Sequence, residues 1–453
     1  MSSSSIDLSS ILSALGSSSS GINVAVAVAQ EIALESQPMQ VWEQEQTNLQ
    51  NQTSDIQGIE SDISGLQSAL TALNDPLGSL AAMTANSSNS NIVTASASAG
   101  AVSGTHMVVV NNLATTASWY SSSVASETTD LAAGSFTIQA GSGSPVTVTT
   151  GSGVNTLDDV VNYINGLNAD VTASVVNDAN GARLALVSTS SGAAGNFTVA
   201  NGSGLTFTQA TTGVDASLTV DGIPIDSASN TVTGAVTGLT LNLAGASSGT
   251  QVSISVAPDS TQISSAVSAF VSAYNKVVGD VNSEYKVDSN NNQGPLARDP
   301  VLSELQSMLL GVGSYTSGGA SLSTLGQLGI SMNNDGTLTL DSSTLNSDIQ
   351  SNFADVQNFF QGTSSNGFAS TLNNQMNSLV DSVSGAFTVD LQSITAENTD
   401  LQNQIDNFQS YLNTRQQFLT DEYNKADIAL QQLPQLEAQL NAELGLNNNN
   451  KNS

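Results

Sequence analysis

The residues whose types could carry chemistry are few: one histidine, one pair of adjacent aspartates and two Asn/Asp-rich turns. His106 is the single histidine, and an imidazole is the usual general base near neutral pH. In "GTHMVVVN" it alternates with apolar residues, which predicts an outward strand position. No triad can be assembled around it with so little support. Asp158 and Asp159 could pair as acid and base, yet adjacent helical positions point apart, and the helix dipole accounts for both in a first turn. "NNDG" at 333–336 resembles part of a calcium loop. With Gly336 as its sixth position, however, Ser331 and Ser342 stand where the first Asp and the bidentate Glu belong. "DSNNNQGPLARD" offers Asp288, Asn290, Asn292 and Asp299, but Gln293 replaces the needed glycine. The phosphate-binding glycine patterns are missing where a strand would feed a helix. The absence of cysteine removes disulfides and thiolate chemistry together. No catalytic, cofactor-binding or metal residue is assigned, and no cofactor is expected.

What the sequence does contain is periodicity. Ile56, Ile59, Ile63, Leu66, Leu70 and Leu73 step alternately three and four apart, and Leu49 and Trp42 extend the same two heptad positions backwards. Such a helix is about 48 Å long and cannot bury its stripe alone. Two further seams offer the matching period. One runs through Ile263, Val267, Phe270, Tyr274, Val277 and Val281. The other takes in Leu391, Ile394, Leu401, Ile405, Phe408, Leu412, Leu419, Leu433, Leu436 and Leu440. Pro434 interrupts this last seam and predicts a kink or break near residue 433. The stretch from Ile405 to Leu419 outruns the N-terminal seam, so its apolar face is predicted to stand free until neighbouring subunits cover it.

Between the seams the grammar is that of strands. "HMVVV", "FTIQA", "PVTVTT", "RLALVS" and "QVSISVA" are short alternating runs separated by Gly, Asn and Ser clusters. Thr156 to Asp159 reads as a capping box opening a helix, with Leu157, Val160, Val161, Ile164 and Leu167 on one face, followed by two strands around an Asn/Gly turn. Trp119 and Tyr120 are predicted to be partly buried. Asp299-Pro300 supplies an N-cap with proline at the first helical position, and "LGISMNNDGTLTLD" reads as a hairpin followed by a helix capped by Asp341.

The fold class is therefore α+β and multidomain: a heptad-patterned helical leg built from both chain ends, with inserted β-rich head domains. The predicted divisions are a flexible terminal and export segment at 1–40 and a helical leg at 41–78 with 259–390. A β-rich domain follows at 79–129 with 213–258, and a second, inserted β-rich domain at 130–212. A C-terminal coiled-coil helix at 391–445 and a disordered tail at 446–453 complete the chain. The 453 residues carry a formal net charge of −31. That balance argues against nucleic acid and anionic membranes. The apolar run Val24–Ala29 is too short for a membrane span or a Sec signal core.

Four stretches, taken in order, resemble flagellar hook-associated protein 2, the family of flagellar filament caps. The first, beginning "SGINVAVAVAQEIALESQPMQVWEQEQ", has a short helix, a Glu/Pro break and a long heptad helix. The second is "MTANSSNSNIVTASASAGAVSGTHMVVVNNLA". The third includes the flagellin-like "IN" unit at 155–188 and "GVDASLTVDGIPIDSASNTVTGAVTGLTLNLAGA". The fourth joins "AFVSAYNKVV", "GPLARDPVLSELQSMLLG", "LGQLGISMNNDGTLTLDSSTLNSDIQSN" and "FFQG". The resemblance implies a non-enzymatic, ring-like homo-oligomer at the distal filament tip that retains flagellin and promotes its insertion. It implies secretion through the flagellar channel without a Sec signal. It also implies contacts with flagellin, hook–filament junction proteins and an export chaperone. Cell adhesion through a host glycan or other surface ligand is compatible with that role. An extracellular adhesin or a flagellin-like structural subunit is the alternative reading.

Overall fold

The computed structural model describes residues 23–444 apart from 168, 203, 319–320 and 363–365. The predicted tail and the first twenty-two residues lie outside that range. The helices are α1 (Val24–Glu35), α2 (Gln37–Asn74), α3 (Leu157–Gly166), α4 (Ser260–Tyr285), α5 (Pro300–Val312), α6 (Ser342–Ser351), α7 (Phe353–Gln361), α8 (Phe368–Val380) and α9 (Ala386–Glu443). Residues 24–40, predicted to be flexible, are helical. Asn23 caps α1 by accepting from the Val26 amide, and Pro38 falls in the first turn of α2, where its missing N–H leaves no bond unmade.

The described residues form three apolar cores. The first is the helical leg, where α2, α4 and α8 bury their stripes against one another and the first turns of α9 close the bundle. Phe270, Tyr315, Phe359, Phe360 and Phe368 form an aromatic cluster within it.

The second core is β. Strands β1 (Met83–Ser87), β2 (Val93–Ala97) and β3 (Gly104–Asn112) join β11 (Ala216–Val220), β12 (Ile223–Ser227), β13 (Thr231–Val236), β14 (Leu239–Leu243) and β15 (Val252–Pro258). They form an antiparallel five-stranded sheet, β1-β15-β3-β11-β12, and a three-stranded sheet, β13-β14-β2. The apolar sides of both supply one core. Met83 pairs with Pro258, so the strands that follow α2 and precede α4 lie side by side.

The third core is nested inside the second. Strands β4 (Thr116–Ser121), β5 (Gly134–Ala140), β6 (Val146–Thr150), β7 (Val171–Asp178), β8 (Gly181–Ser191), β9 (Phe197–Ala200) and β10 (Phe207–Thr211) form sheets β10-β4-β8-β7 and β6-β5-β9, packed with α3. The amide of Thr115 donates to the carbonyl of Val214 at 3.0 Å where the chain leaves and returns. The sequence division at residue 130 is corrected here. Strand β4 pairs with β8 and β10, and Ala117 and Trp119 pack in the third core, so the inserted unit begins near residue 116.

The capping box at Thr156 and Asp159 forms with both reciprocal bonds. Leu167, predicted on the buried face, is 37% exposed because it caps the helix instead of continuing it. Strands β16 (Ile330–Met332) and β17 (Leu338–Leu340) form the hairpin around Asn333–Gly336, with Gly336 at φ 83°, a left-handed conformation that favours glycine. Asp299 and Asp341 cap α5 and α6. The predicted break at Pro434 does not occur, since α9 runs unbroken through it for 58 residues. The side chains around Pro434 are exposed, so the carbonyl of Leu430, which loses its helical donor, faces water and can be hydrated.

Candidate assembly surfaces

The candidate functional side chains are the seam residues, and their packing decides which remain available. On α2, Leu49, Ile56, Ile59, Ile63, Leu66, Leu70 and Leu73 are all buried. They meet Ile263, Val267, Phe270 and Tyr274 of α4, all fully buried, and Ile394 and Leu401 of α9, with Leu391 half-buried beside them. The Tyr274 hydroxyl donates to the carbonyl of Leu309 at 2.8 Å, and burial pushes its pKa well up. The same stripe also packs on α8 through Phe368, Leu372, Met376 and Leu379, a partner the sequence reading missed. Their spacing of four, four and three was visible in "FASTLNNQMNSL". Gln67 Nε2 on α2 donates to Asn377 Oδ1 of α8 at 2.7 Å.

Beyond Leu401 the expectation of an uncovered stripe is corrected. Half-buried Phe408 meets Trp42, Ile405 is half-buried, and Leu412 and Leu419 are buried. Helix α1 covers this region, lying along α9 with Val28 buried. Arg415 Nε donates to Glu35 Oε1 at 3.0 Å, and Tyr423 Oη donates to Glu31 Oε2 at 2.9 Å. The available signal was Glu31 and Glu35, one helical turn apart and opposite a lone arginine in a chain poor in basic residues. Past Tyr423 no described residue covers the stripe. Ile428, Leu430, Leu433, Leu436, Leu440 and Leu444 are each between 43% and 61% exposed.

Polar groups inside the leg hold helices together. Asp62 on α2 pairs with Lys276 and hydrogen-bonds Asp280, both on α4. Burial and then that contact raise the Asp280 carboxyl to about 6, so below that pH the pair shares a proton that rests on Asp280. For Asp62, burial pushes upward, but the bonds to Asp280 and Lys276 outweigh it and the net shift is downward. Asp390 on α9 is likewise raised to about 6, first by burial and then by its contact with the α5 cap Asp299. Buried Glu284 accepts from the Leu296 amide at 2.9 Å, and Gly294 lies so close that a Cβ there would stand 2.2 Å from Glu284 Oε2.

The residues first weighed for chemistry are occupied elsewhere. His106 does not point outward. It shares its strand face with buried Val108 and Val110, opposite Ile254, and its Nδ1 lies 2.7 Å from Asp221 in the turn between β11 and β12. The bond to His106 comes first among the causes that lower the Asp221 pKa. Asp335 accepts from the Thr337 amide at 3.0 Å, as a turn aspartate does. Trp119 is half-buried and donates from Nε1 to the Phe197 carbonyl at 3.1 Å, while Tyr120 is 39% exposed under the Arg183 guanidinium.

Comparison with known families reproduces this layout. The flagellar hook-associated protein 2 N-terminus matches residues 20–117 and the C-terminus of the same family matches residues 213–435. The chain belongs to the flagellar hook-associated protein 2 family. The flagellin hook IN motif matches residues 135–190, which fall within the nested third core. The B-type flagellar hook-associated protein 2 of Pseudomonas aeruginosa is 29% identical over 333 residues, covering 66% of this chain and 70% of that protein. The A-type protein of Pseudomonas aeruginosa is 26% identical over 316 residues, covering 62% of this chain and 66% of that one. The crystal structure of the flagellar cap protein FliD D1-D2-D3 domains from Escherichia coli superposes with a TM-score of 0.60 at 24% identity. It covers 75% of this chain and 99% of that one, and shows a shared fold. The family's role is structural: it caps the flagellar filament.

Proposed function

We propose that this chain caps the filament by self-associating into a ring at the distal tip, where it retains flagellin and promotes insertion of each subunit. The observation that carries this reading is the exposed leucine stripe of α9 from Ile428 to Leu444, at the end of a helix whose seam positions Ile394, Leu401, Leu412 and Leu419 are buried within the chain. A row of six half-exposed aliphatic side chains needs an apolar partner. Flagellin and the hook–filament junction proteins are the partners in this reading, and an export chaperone covers the stripe before secretion. Export runs through the flagellar channel. Both β-rich units are inserted between α2 and α4 and leave the terminal helices together, which supports a division between an assembling leg and projecting head domains.

Purified protein labelled with gold and mixed with isolated filaments tests this. Labelling confined to one end of each filament is expected. Labelling along the sides, or on host cells alone, would support a structural subunit or an adhesin instead.

A further inference from the structure

Basic side chains are scarce in this protein, so those without partners are informative. Among the described residues, Arg183, Lys276, Arg415 and Lys425 each meet a carboxylate. Lys286 and Arg298 meet none, and both are exposed. They lie in one loop, residues 286–299, which leaves the end of α4, and beside Lys286 the apolar Val287 is 51% exposed. This loop is tied down: the Asp288 carboxylate accepts from the amides of Asn290 at 2.8 Å and Asn292 at 2.7 Å, and Leu296 is buried beneath it. A pre-organised projection loses little freedom on binding.

The loop's two acids, Asp288 and Asp299, are held by backbone amides, and a surface with unpaired acids lies elsewhere on the leg. Between α2 and the junction of α8 with α9 runs an open groove of about 900 Å³. Val380, Leu391 and Ala396 give it apolar walls, and Glu60 and Asp400 are its acidic groups. Among the described residues neither carboxylate has a cation partner, and burial raises the Glu60 pKa, so this acid is desolvated without compensation. A chain of net charge −31 repels its own copies at long range. Contact between copies is favoured where the free cations of one meet unpaired acids of the other.

We propose that the 286–299 loop of one copy seats in the Glu60–Asp400 groove of a second copy, with Val287 against the apolar walls and Lys286 and Arg298 facing the two carboxylates. The two surfaces are different patches of one chain. The contact is therefore heterologous, and repeating it generates a closed ring or an open helix. This rests on the self-association proposed above and names the surfaces that perform it.

The absence of native cysteine makes the test clean. Full-length Val287→Cys, carrying a size tag, is mixed with untagged Ala396→Cys under mild oxidation. A mixed disulfide of the size expected for one tagged and one untagged chain should predominate over either symmetric product. In parallel, sedimentation at low salt should show Glu60→Lys with Asp400→Lys weakening self-association about tenfold, the scale of two rim ion pairs. Lys286→Glu with Arg298→Glu should weaken it similarly, and an equimolar mixture of the two double variants should regain association with each other. Wild-type protein that self-associates while the mixed disulfide fails to form and the charge variants behave as wild type would overturn the proposed surfaces and leave the cap reading standing. Wild-type protein that never self-associates would overturn both, while end-labelling of filaments reports on the cap reading independently.

Discussion

Trp42 and Phe408 meet edge to face, their ring centroids 5.3 Å apart and their planes at 81°. One belongs to the first long helix and the other to the last, and the contact sets the register of the two ends. Gln46 Nε2 donates to Gln402 Oε1 at 2.9 Å on one side of it, and Arg415 bonds Glu35 on the other. The α1–α2 arm therefore runs antiparallel to α9, and beyond Tyr423, which meets Glu31 of α1, the apolar side chains of α9 from Ile428 to Leu444 are exposed.

Ile63 sits at the centre of the leg with no exposed surface. Ile63→Asp is expected to destabilise the leg by about 3–5 kcal/mol, the cost of an uncompensated buried charge. Urea unfolding followed by far-UV circular dichroism checks this, and an unchanged helical transition would contradict the packing described.

Two carboxyl pairs predict an unusual pH dependence. The folded pKa of Asp280 and that of Asp390 are raised from 3.8 to about 6. Their contribution is therefore fully present below pH 3.8 and is lost as pH rises through about 6. Asp62 is lowered, so its contribution has the opposite sign and is lost only as pH falls below the ordinary carboxylate range. Between pH 5 and pH 7 the two raised groups prevail and the leg should melt at lower temperature as pH rises. Asp280→Asn with Asp390→Asn should flatten that slope, and calorimetry at the two pH values that found an unaltered slope would remove the pairs as its cause.

The corrected boundary of the inserted unit can be tested by excision. Replacing residues 116–213 with a short Gly/Ser bridge should leave the leg and the β unit of the second core folded, because Thr115 and Val214 are already hydrogen-bonded neighbours. Deleting 130–212 should give an aggregating protein, since β4 would lose both β8 and β10 and expose Trp119. Equal solubility of the two deletions would argue against the nested arrangement.

The legible parts of this fold are those whose signal is local. Ile56 to Leu73 and Ile263 to Val281 carry their period within one helix, Asp299 and Asp341 cap the residues that follow them, and Asn333–Gly336 forms its turn without help. What escaped depends on partners distant in sequence. Strand β4 reads the same whichever sheet it joins, and only pairing with β8 and β10 decides. His106 is flanked by apolar residues on both parities, so Val108 and Val110 could not be separated from Met107 and Val109 without the sheet. Helix α1 interleaves Val and Ala with no clear stripe, and its role rests on Arg415 and Tyr423 almost four hundred residues away. The assembly surfaces are hardest to read, because the same leucine spacing serves covered positions such as Leu412 and bare ones such as Leu436.

The central claim is that the bare end of α9 holds the protein on the filament tip, and truncation after Asp427 tests it most directly. Residues 428–444 make no contribution to the three cores, so the truncated protein should melt like the full chain. Strains carrying each form would be compared by tip labelling, flagellin in the culture medium and secreted truncated protein. The account predicts that the truncated form is folded and exported, that filament tips are empty, and that monomeric flagellin leaks into the medium. Full tip occupancy by the truncated form with no leakage would contradict it.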